Sequence, residues 1–110
     1  MLSRSTESEP VLLVLCTCPD DIAETLARQV IEAQLAVCVN QLSDISSIYR
    51  WQGKIEQSKE SLLMIKTTLS LYKKLEKFIK NNHPYECPEI IQIPIQDGYG
   101  PYLTWVRESR

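Results

Sequence analysis

Hydrophobic positions change their spacing from one segment of this chain to the next, and the changes predict where strands and helices lie. Residues 11–16 form a continuous apolar run after Pro10, which is typical of a strand buried on both faces. From Ile22 to Leu35 the apolar side chains recur at steps of three and four residues. That spacing predicts an amphipathic helix of about four turns, begun by the two acids after Pro19.

Strand-type sequence resumes at residue 37 and predicts a long hairpin. It continues to Trp51, Gln52-Gly53 provides a turn, and residues 55–67 return as a second strand. Both strands are longer than the roughly five or six residues of an average strand. We therefore expect the hairpin to extend beyond one small sheet and to pair with another chain, such as a second subunit.

The remaining segments predict a second helix, a fourth strand and a short C-terminal helix. Residues 71–79 carry apolar side chains at helical spacing, with Thr68 or Ser70 as the N-cap and Asn81-Asn82 at the end. Residues 89–96 predict a strand in which Pro94 favours a sheet edge or a bulge. A last helix begins at Pro101.

The order of these elements is that of the split βαβ, ferredoxin-like fold. It predicts an α+β domain with a four-stranded antiparallel sheet and two helices on one face. With no helix left for the second face, self-association is the expected way to cover it. The single domain should occupy residues 11–110, after a polar, flexible tail over residues 1–10.

Composition narrows the class of protein. Hydrophobic residues make up 44% and charged residues 24% of the chain, and the net charge is −2. These values fit a soluble globular domain and argue against a nucleic-acid surface. The apolar runs are far shorter than the roughly 18 residues of a membrane span, and residues 1–10 lack the apolar centre of a signal peptide. We therefore expect a cytoplasmic protein with free thiols, and neither nucleic acid nor membrane as a partner.

Candidate chemistry is concentrated between His83 and Glu89. This segment contains the one histidine of the chain, a cysteine, two carboxylates and a tyrosine. Pro84 and Pro88 keep its backbone extended, which predicts a stiff loop that enters the fourth strand. Binding groups are often found on loops held by rigid elements.

Six segments of the chain form a recognisable series: Cys16–Pro19, Ala36–Asn40, Ser47–Glu56, Met64–Thr67, His83–Ile90 and Pro101–Val106. In their order and spacing, they resemble the CutA family of divalent-cation tolerance proteins. The resemblance implies a homotrimer built like the PII signalling proteins, in which the long hairpins pair between subunits. It also implies binding of divalent metal, chiefly Cu²⁺, and a link to metal tolerance or signalling, without an established catalytic reaction.

The resemblance also implies the metal ligands. In the family's bacterial copper-binding pattern, the ligands match Cys16 and two adjacent histidines before the Pro-Tyr pair; here the second is His83, and Asn82 occupies the first position. Thiolate and imidazole both suit copper and zinc. The structural alternative is that Cys16 ends a buried strand and His83 caps the second helix.

Cys18 leaves two further interpretations open. If the first strand continues, Cys16 and Cys18 face the same way, and the pair could bind a soft cation or exchange oxidation states. Alternatively, Cys16 belongs to the core and Cys18 is a turn residue before Pro19.

A further set of residues is implied by the resemblance to line clefts between subunits. Such a cleft would be a polar, partly buried site for a small ligand or cation, in which Lys66 and a carboxylate form an ion pair. The set consists of Trp51, Lys66, Tyr85, Glu86, Glu89 and Tyr102.

Three functions remain open from the sequence. The first is a homotrimer that binds copper at Cys16 and His83. The second is an enzyme with Cys38 or Cys87 as nucleophile and His83 as base. It lacks an orienting group and an oxyanion motif, so we expect no enzyme. The third is a trimeric scaffold that holds an unknown small molecule in its clefts.

Overall fold

The computed structural model describes residues 9–109, so most of the predicted tail lies outside the described residues. Glu9 and Pro10, at the end of that tail, are hydrogen-bonded to the body of the domain. The Pro10 carbonyl accepts from the Leu69 amide at 3.0 Å, and the Glu9 carboxylate accepts from the Ser70 amide at 3.1 Å.

The described chain forms four strands and three α-helices in the predicted order. They are β1 (Val11–Cys18), α1 (Asp20–Glu32), β2 (Cys38–Trp51), β3 (Lys54–Thr68), α2 (Tyr72–Asn82), β4 (Ile90–Pro94) and α3 (Gly100–Glu108). The strands pair antiparallel in one sheet with the order β2-β3-β1-β4. This topology confirms the ferredoxin-like α+β prediction and places β4, with its Pro94, at a sheet edge.

Several boundaries differ from the predictions, and β4 ends at Pro94 rather than at residue 96. β1 continues through Cys18, so the interpretation of Cys18 as a turn residue is wrong. α1 ends at Glu32 rather than near Leu35, because Gln34 adopts the left-handed conformation with φ of 61°. The Leu35 amide donates to the Val30 carbonyl and the Gln34 amide to the Ile31 carbonyl, the pattern of a Schellman C-cap.

The hairpin of β2 and β3 is the longest feature of the molecule. Gln52 and Gly53 both have positive φ, 51° and 80°, between the paired residues Trp51 and Lys54. This is a tight turn of type I′ geometry, which suits the twist of a hairpin. We call the part of the hairpin from Ile45 to Glu60 the arm; in it, β2 pairs with β3. The described molecule measures 56 × 25 × 22 Å.

The core lies between α1 and α2 and one face of the sheet. Its buried residues include Leu12, Val14, Cys16, Cys18, Leu63 and Ile65 from the sheet and Leu26, Val30, Leu75 and Ile79 from the helices. Alternate residues of the same strands, such as Thr17, Glu60 and Lys66, therefore belong to the opposite face. α3 contacts β1 and β3 and buries Val106 outside this core, so the expectation that no helix remained to cover the sheet is wrong.

None of the helices within residues 9–109 combines the length and the apolar character that a membrane crossing requires.

Candidate functional site

The loop between α2 and β4 brings His83 against the end of β1. α2 ends at Asn82, and His83 follows in an extended conformation, with φ of −102° and ψ of 137°. The residue before a proline is pushed out of the helical region, so Pro84 explains why the helix stops here. His83 thus occupies the C-cap position that the structural alternative predicted.

Both ring nitrogens of His83 are hydrogen-bonded to backbone groups. The Tyr85 amide donates to Nδ1 at 3.1 Å, and Nε2 lies 2.8 Å from the Thr17 carbonyl oxygen. Because a carbonyl only accepts, Nε2 carries the ring proton and Nδ1 does not. His83 is 8% exposed, and its ring packs against that of Tyr85 at an angle of 60°, with centroids 4.7 Å apart. His83 therefore fastens the loop to β1 as a neutral imidazole.

Cys16 meets His83 at the same carbonyl oxygen. Its thiol donates to the Thr17 carbonyl over 3.7 Å, so the two predicted metal ligands converge on one atom. Cys16 is fully buried in the helix-covered core. Burial, followed by the charges of Cys18, Glu89 and Glu60, raises the pKa of the Cys16 thiol to about 12. The thiol is therefore protonated at neutral pH.

Asn82 and Cys18 are close in sequence to His83 and Cys16, but neither is hydrogen-bonded to them. The Asn82 side-chain amide donates to the Phe78 carbonyl at 2.8 Å, so it turns back onto α2. Cys18 is buried on the same face of β1 as Cys16, and both are free thiols. Across residues 9–109, no three His, Cys, Asp or Glu side chains are grouped as they would be around a metal ion. The donors that fit a metal here are therefore two, one thiol and one imidazole.

A cavity of about 750 Å³ lies between the arm and the His83–Glu89 loop. Four of the six predicted cleft residues line it: Trp51, Tyr85, Glu86 and Glu89. The sequence analysis missed Thr17, Tyr49 and Glu60, which also line it. Strand alternation could have placed Glu60 on the same sheet face as Lys66, but no local signal marks it as buried.

Hydrogen bonds join the walls of the cavity. The Tyr85 hydroxyl donates to the Glu60 carboxylate at 2.8 Å, and the Thr17 hydroxyl donates to the Glu89 carboxylate at 3.5 Å. Burial, together with this hydrogen bond and charge of Glu60, raises the pKa of the Tyr85 hydroxyl. The loop is therefore held to both β1 and the arm.

The other two predicted cleft residues, Lys66 and Tyr102, form a separate cluster around Cys38 within one chain. The Lys66 ammonium donates to the Asn40 side chain and lies 3.9 Å from Cys38 Sγ. Burial and then interaction with Cys38 raise the pKa of the Tyr102 hydroxyl, and its ring packs against Trp105 at 5.6 Å. No ion pair joins Lys66 to a carboxylate within residues 9–109.

The two cysteines considered as nucleophiles lie in different places. Cys87 is exposed and lines the cavity, whereas Cys38 is half-buried beside Lys66. In the described part of the chain, the hydrogen-bond partners of the His83 ring are backbone atoms of Thr17 and Tyr85, not a thiol. A Cys–His pair with a general base in hydrogen-bond contact is not formed.

Comparison with known proteins gives consistent matches. The sequence profile described as "CutA1 divalent ion tolerance protein" matches residues 12–109. The divalent-cation tolerance protein CutA of Thermus thermophilus is 44% identical over 98 residues, which cover 88% of this chain and 95% of that protein. Human protein CutA is 50% identical over 93 residues, which cover 84% of this chain. The chain spans about half the length of the mammalian relatives it matches, since the match covers 52% of each.

Solved structures agree with the sequence matches. CutA1 from Oryza sativa superposes with a TM-score of 0.89 at 40% identity, covering 92% of this chain and 94% of that one. The Cut A1 protein from Thermus thermophilus gives 0.87 at 43% identity, covering 89% and 96%.

Proposed function

The chain belongs to the CutA1 family of divalent ion tolerance proteins, and from this membership we propose that it is a cytoplasmic homotrimer that binds Cu²⁺ through Cys16 and His83. The observation that carries the metal proposal is the convergence of Cys16 Sγ and His83 Nε2 on the Thr17 carbonyl oxygen, at 3.7 and 2.8 Å. Thiolate and imidazole are donors that copper accepts readily.

Metal binding at this pair requires specific changes in the protein. Cys16 must lose a thiol proton, because burial holds its pKa at about 12. His83 must offer Nε2 as a lone pair, which shifts the ring proton to Nδ1 and breaks the hydrogen bond from the Tyr85 amide. Since the pair supplies two donors, the remaining coordination positions fall to water or to a second copy. We therefore expect binding weaker than at a site with four protein ligands.

A metal titration tests this assignment. Isothermal calorimetry with Cu²⁺, and with redox-inactive Zn²⁺, compares the native chain with Cys16→Ala, His83→Ala and the double variant. We expect the double variant to lose the binding heat. Cys18→Ala is the matched control, since it removes a buried thiol from the same face of β1 without touching His83. Unchanged metal affinity in the double variant would contradict the assignment.

Trimer assembly is supported by the exposed apolar residues of the outer strands. Ile55 of the arm is 72% exposed, Ile91 and Ile93 of β4 are 47% and 42% exposed, and none of the three lines the cavity. Strand edges with apolar side chains are pairing surfaces unless something covers them. Light scattering at micromolar concentration should give the mass of three chains. A measured mass of one chain would contradict the trimer.

Binding rather than catalysis is the function we propose, because within residues 9–109 the hydrogen-bond partners of the His83 ring are backbone groups and not the thiol or hydroxyl of a nucleophile. A signalling role would follow from the likeness to PII trimers. Relatives are named as chloroplastic in Arabidopsis thaliana and periplasmic in Archaeoglobus fulgidus. Fractionation of cells that express the tagged chain tests the cytoplasmic location. A second function, a trimeric scaffold for a small molecule, is favoured by the cavity between the arm and the loop.

A further inference from the structure

Glu60 is a buried carboxylate that takes part in no ion pair within residues 9–109. It is 4% exposed at the base of the arm, and one of its oxygens accepts a hydrogen bond from the Tyr85 hydroxyl. That is its one side-chain hydrogen bond within residues 9–109, and it takes part in none of the ion pairs there. Glutamate is almost never fully buried unless it is paired, since removing a charge from water is costly. The second oxygen is not among the buried atoms that lack a partner, and Glu60 lines the cavity, so this oxygen is open to a donor that enters there.

The cavity that Glu60 lines carries the same sign of charge throughout. Glu86 and Glu89 join Glu60 in its walls, and the described lining residues include no lysine, arginine or histidine. After burial, the Glu60 charge is the next cause of the raised pKa of Cys18, so its field extends into the neighbouring strand. A volume of about 750 Å³ is ordinary for a small-molecule site. The cavity therefore favours a small cation.

The remaining walls distinguish an organic cation from a metal ion. Tyr49, Trp51 and Tyr85 present aromatic rings to the cavity, and Ile48 adds an apolar side chain. Hard metal ions take six or more oxygen ligands, and no three acidic, histidine or cysteine side chains are grouped for a metal across residues 9–109. An ammonium group on a carbon chain matches both surfaces, because aromatic faces attract cations and apolar side chains pack against methylene groups.

We propose that this cavity binds an alkyl amine, whose ammonium group contacts the Glu60 carboxylate and whose carbon chain lies beside Tyr49 and Trp51. The inference deepens the scaffold function and is independent of copper binding at Cys16 and His83. Glu89, whose carboxylate accepts from the Thr17 hydroxyl, lines the same cavity, so a diamine offers a second ammonium group to a second carboxylate.

The test is a calorimetric titration of the assembled protein with 1,4-diaminobutane, beside 1,4-butanediol as the neutral molecule of the same length. We expect the diamine to bind and the diol not to bind. Glu60→Gln should weaken diamine binding about tenfold or more, because it removes a charged hydrogen-bond partner and keeps the shape. Glu56→Gln is the matched control: it lies on the same strand and the same face, is exposed and does not line the cavity.

Each alternative outcome contradicts the inference in a different way. Equal binding of diol and diamine would be compatible with the scaffold function but would contradict the proposal that the ligand is a cation. Unchanged diamine affinity in Glu60→Gln would show that the amine does not bind at Glu60. Binding of Mg²⁺ or Ca²⁺ that depends on Glu60 would show that the cavity takes a metal ion and not an amine. Dissociation of the Glu60→Gln protein without any ligand would show that another copy supplies the positive partner. If a variant fails to fold, the comparison of diamine and diol on the native protein still tests the proposal. The copper titration tests Cys16 and His83, and its result does not depend on amine binding.

Discussion

Both halves of β3 pair with β2, on either side of a register shift between Leu42 and Ile45, but their surroundings differ. Ser61–Thr68 also pairs with β1, and its Leu63 and Ile65 are completely buried beneath the helices. Lys54–Glu60 pairs only with β2 among the described strands, and its Ile55 is 72% exposed. A ladder of backbone hydrogen bonds is thus enough to extend a strand, whereas burial of its side chains requires a second layer.

The boundary between these halves is where the candidate site lies. Glu60 is the last residue before the covered half, and the His83–Glu89 loop reaches it from the other edge of the sheet through Tyr85. Polar groups here are held by the rigid covered half but remain open on the side of the arm. A binding site at such a boundary combines fixed geometry with access.

The largest difference between the two halves of β3 should appear in the free energy of unfolding, when Leu63→Ala is compared with Ile55→Ala. We expect Leu63→Ala to lower the free energy of unfolding by about 3 kcal/mol, because it leaves a cavity in a closed core. Ile55→Ala removes no burial within one chain, so any loss should depend on protein concentration, as assembly does. Urea unfolding at two protein concentrations checks both. A concentration-independent loss of similar size for Ile55→Ala would refute the distinction.

A second pair of variants, Tyr85→Phe and Tyr49→Phe, compares what a tyrosine hydroxyl contributes to stability at the boundary and in the arm. Tyr85→Phe removes the hydroxyl that satisfies the buried Glu60 carboxylate, and we expect a loss of about 2 kcal/mol in unfolding free energy. The Tyr49 hydroxyl bonds Ser58 at an exposed position, so Tyr49→Phe should change stability by less than about 0.5 kcal/mol. Denaturant unfolding of both variants measures the difference. Equal effects would mean that the Glu60 contact adds nothing to stability.

The pH dependence of stability should distinguish a buried thiol of β1 from an exposed thiol of the loop. Burial, then the charges of Glu60 and the two helix-start acids, raises the pKa of Cys18 from 9.0 to about 11. The unfolded thiol therefore ionises first as pH rises above 9, while the folded thiol keeps its proton, so stability falls between pH 9 and 11. At pH 10 this contributes a loss of about 1 kcal/mol relative to pH 7.5.

Cys18→Ala should remove that part of the pH dependence, whereas Cys87→Ala, at an exposed position, should leave it intact. Urea unfolding under reducing conditions at the two pH values provides the measurement. The same pH dependence in Cys18→Ala and the native chain would contradict the assignment to Cys18.

Part of the candidate site followed from the sequence. Four of the six predicted cleft residues line one cavity, whereas the loop that the two prolines around Tyr85 predicted to be extended is bent over residues 84–87. Glu60 was missed because its neighbours from Gln57 onward read as a polar, exposed strand; the contact that marks it comes from a tyrosine 25 residues away. Lys66 and Tyr102 were expected beside those residues but cluster around Cys38 in the single chain.

The sequence by itself determined the order of elements, the tight turn at Gln52-Gly53, the helix-covered core and, through six segments, the family. These properties depend on local periodicity, on backbone preferences and on motifs that are contiguous in the chain. Tertiary structure alone decided that Cys16 and His83 share one carbonyl oxygen, that both His83 nitrogens are engaged and that Glu60 is buried. Each of these depends on a distance between residues far apart in sequence, which packing fixes and local patterns do not encode.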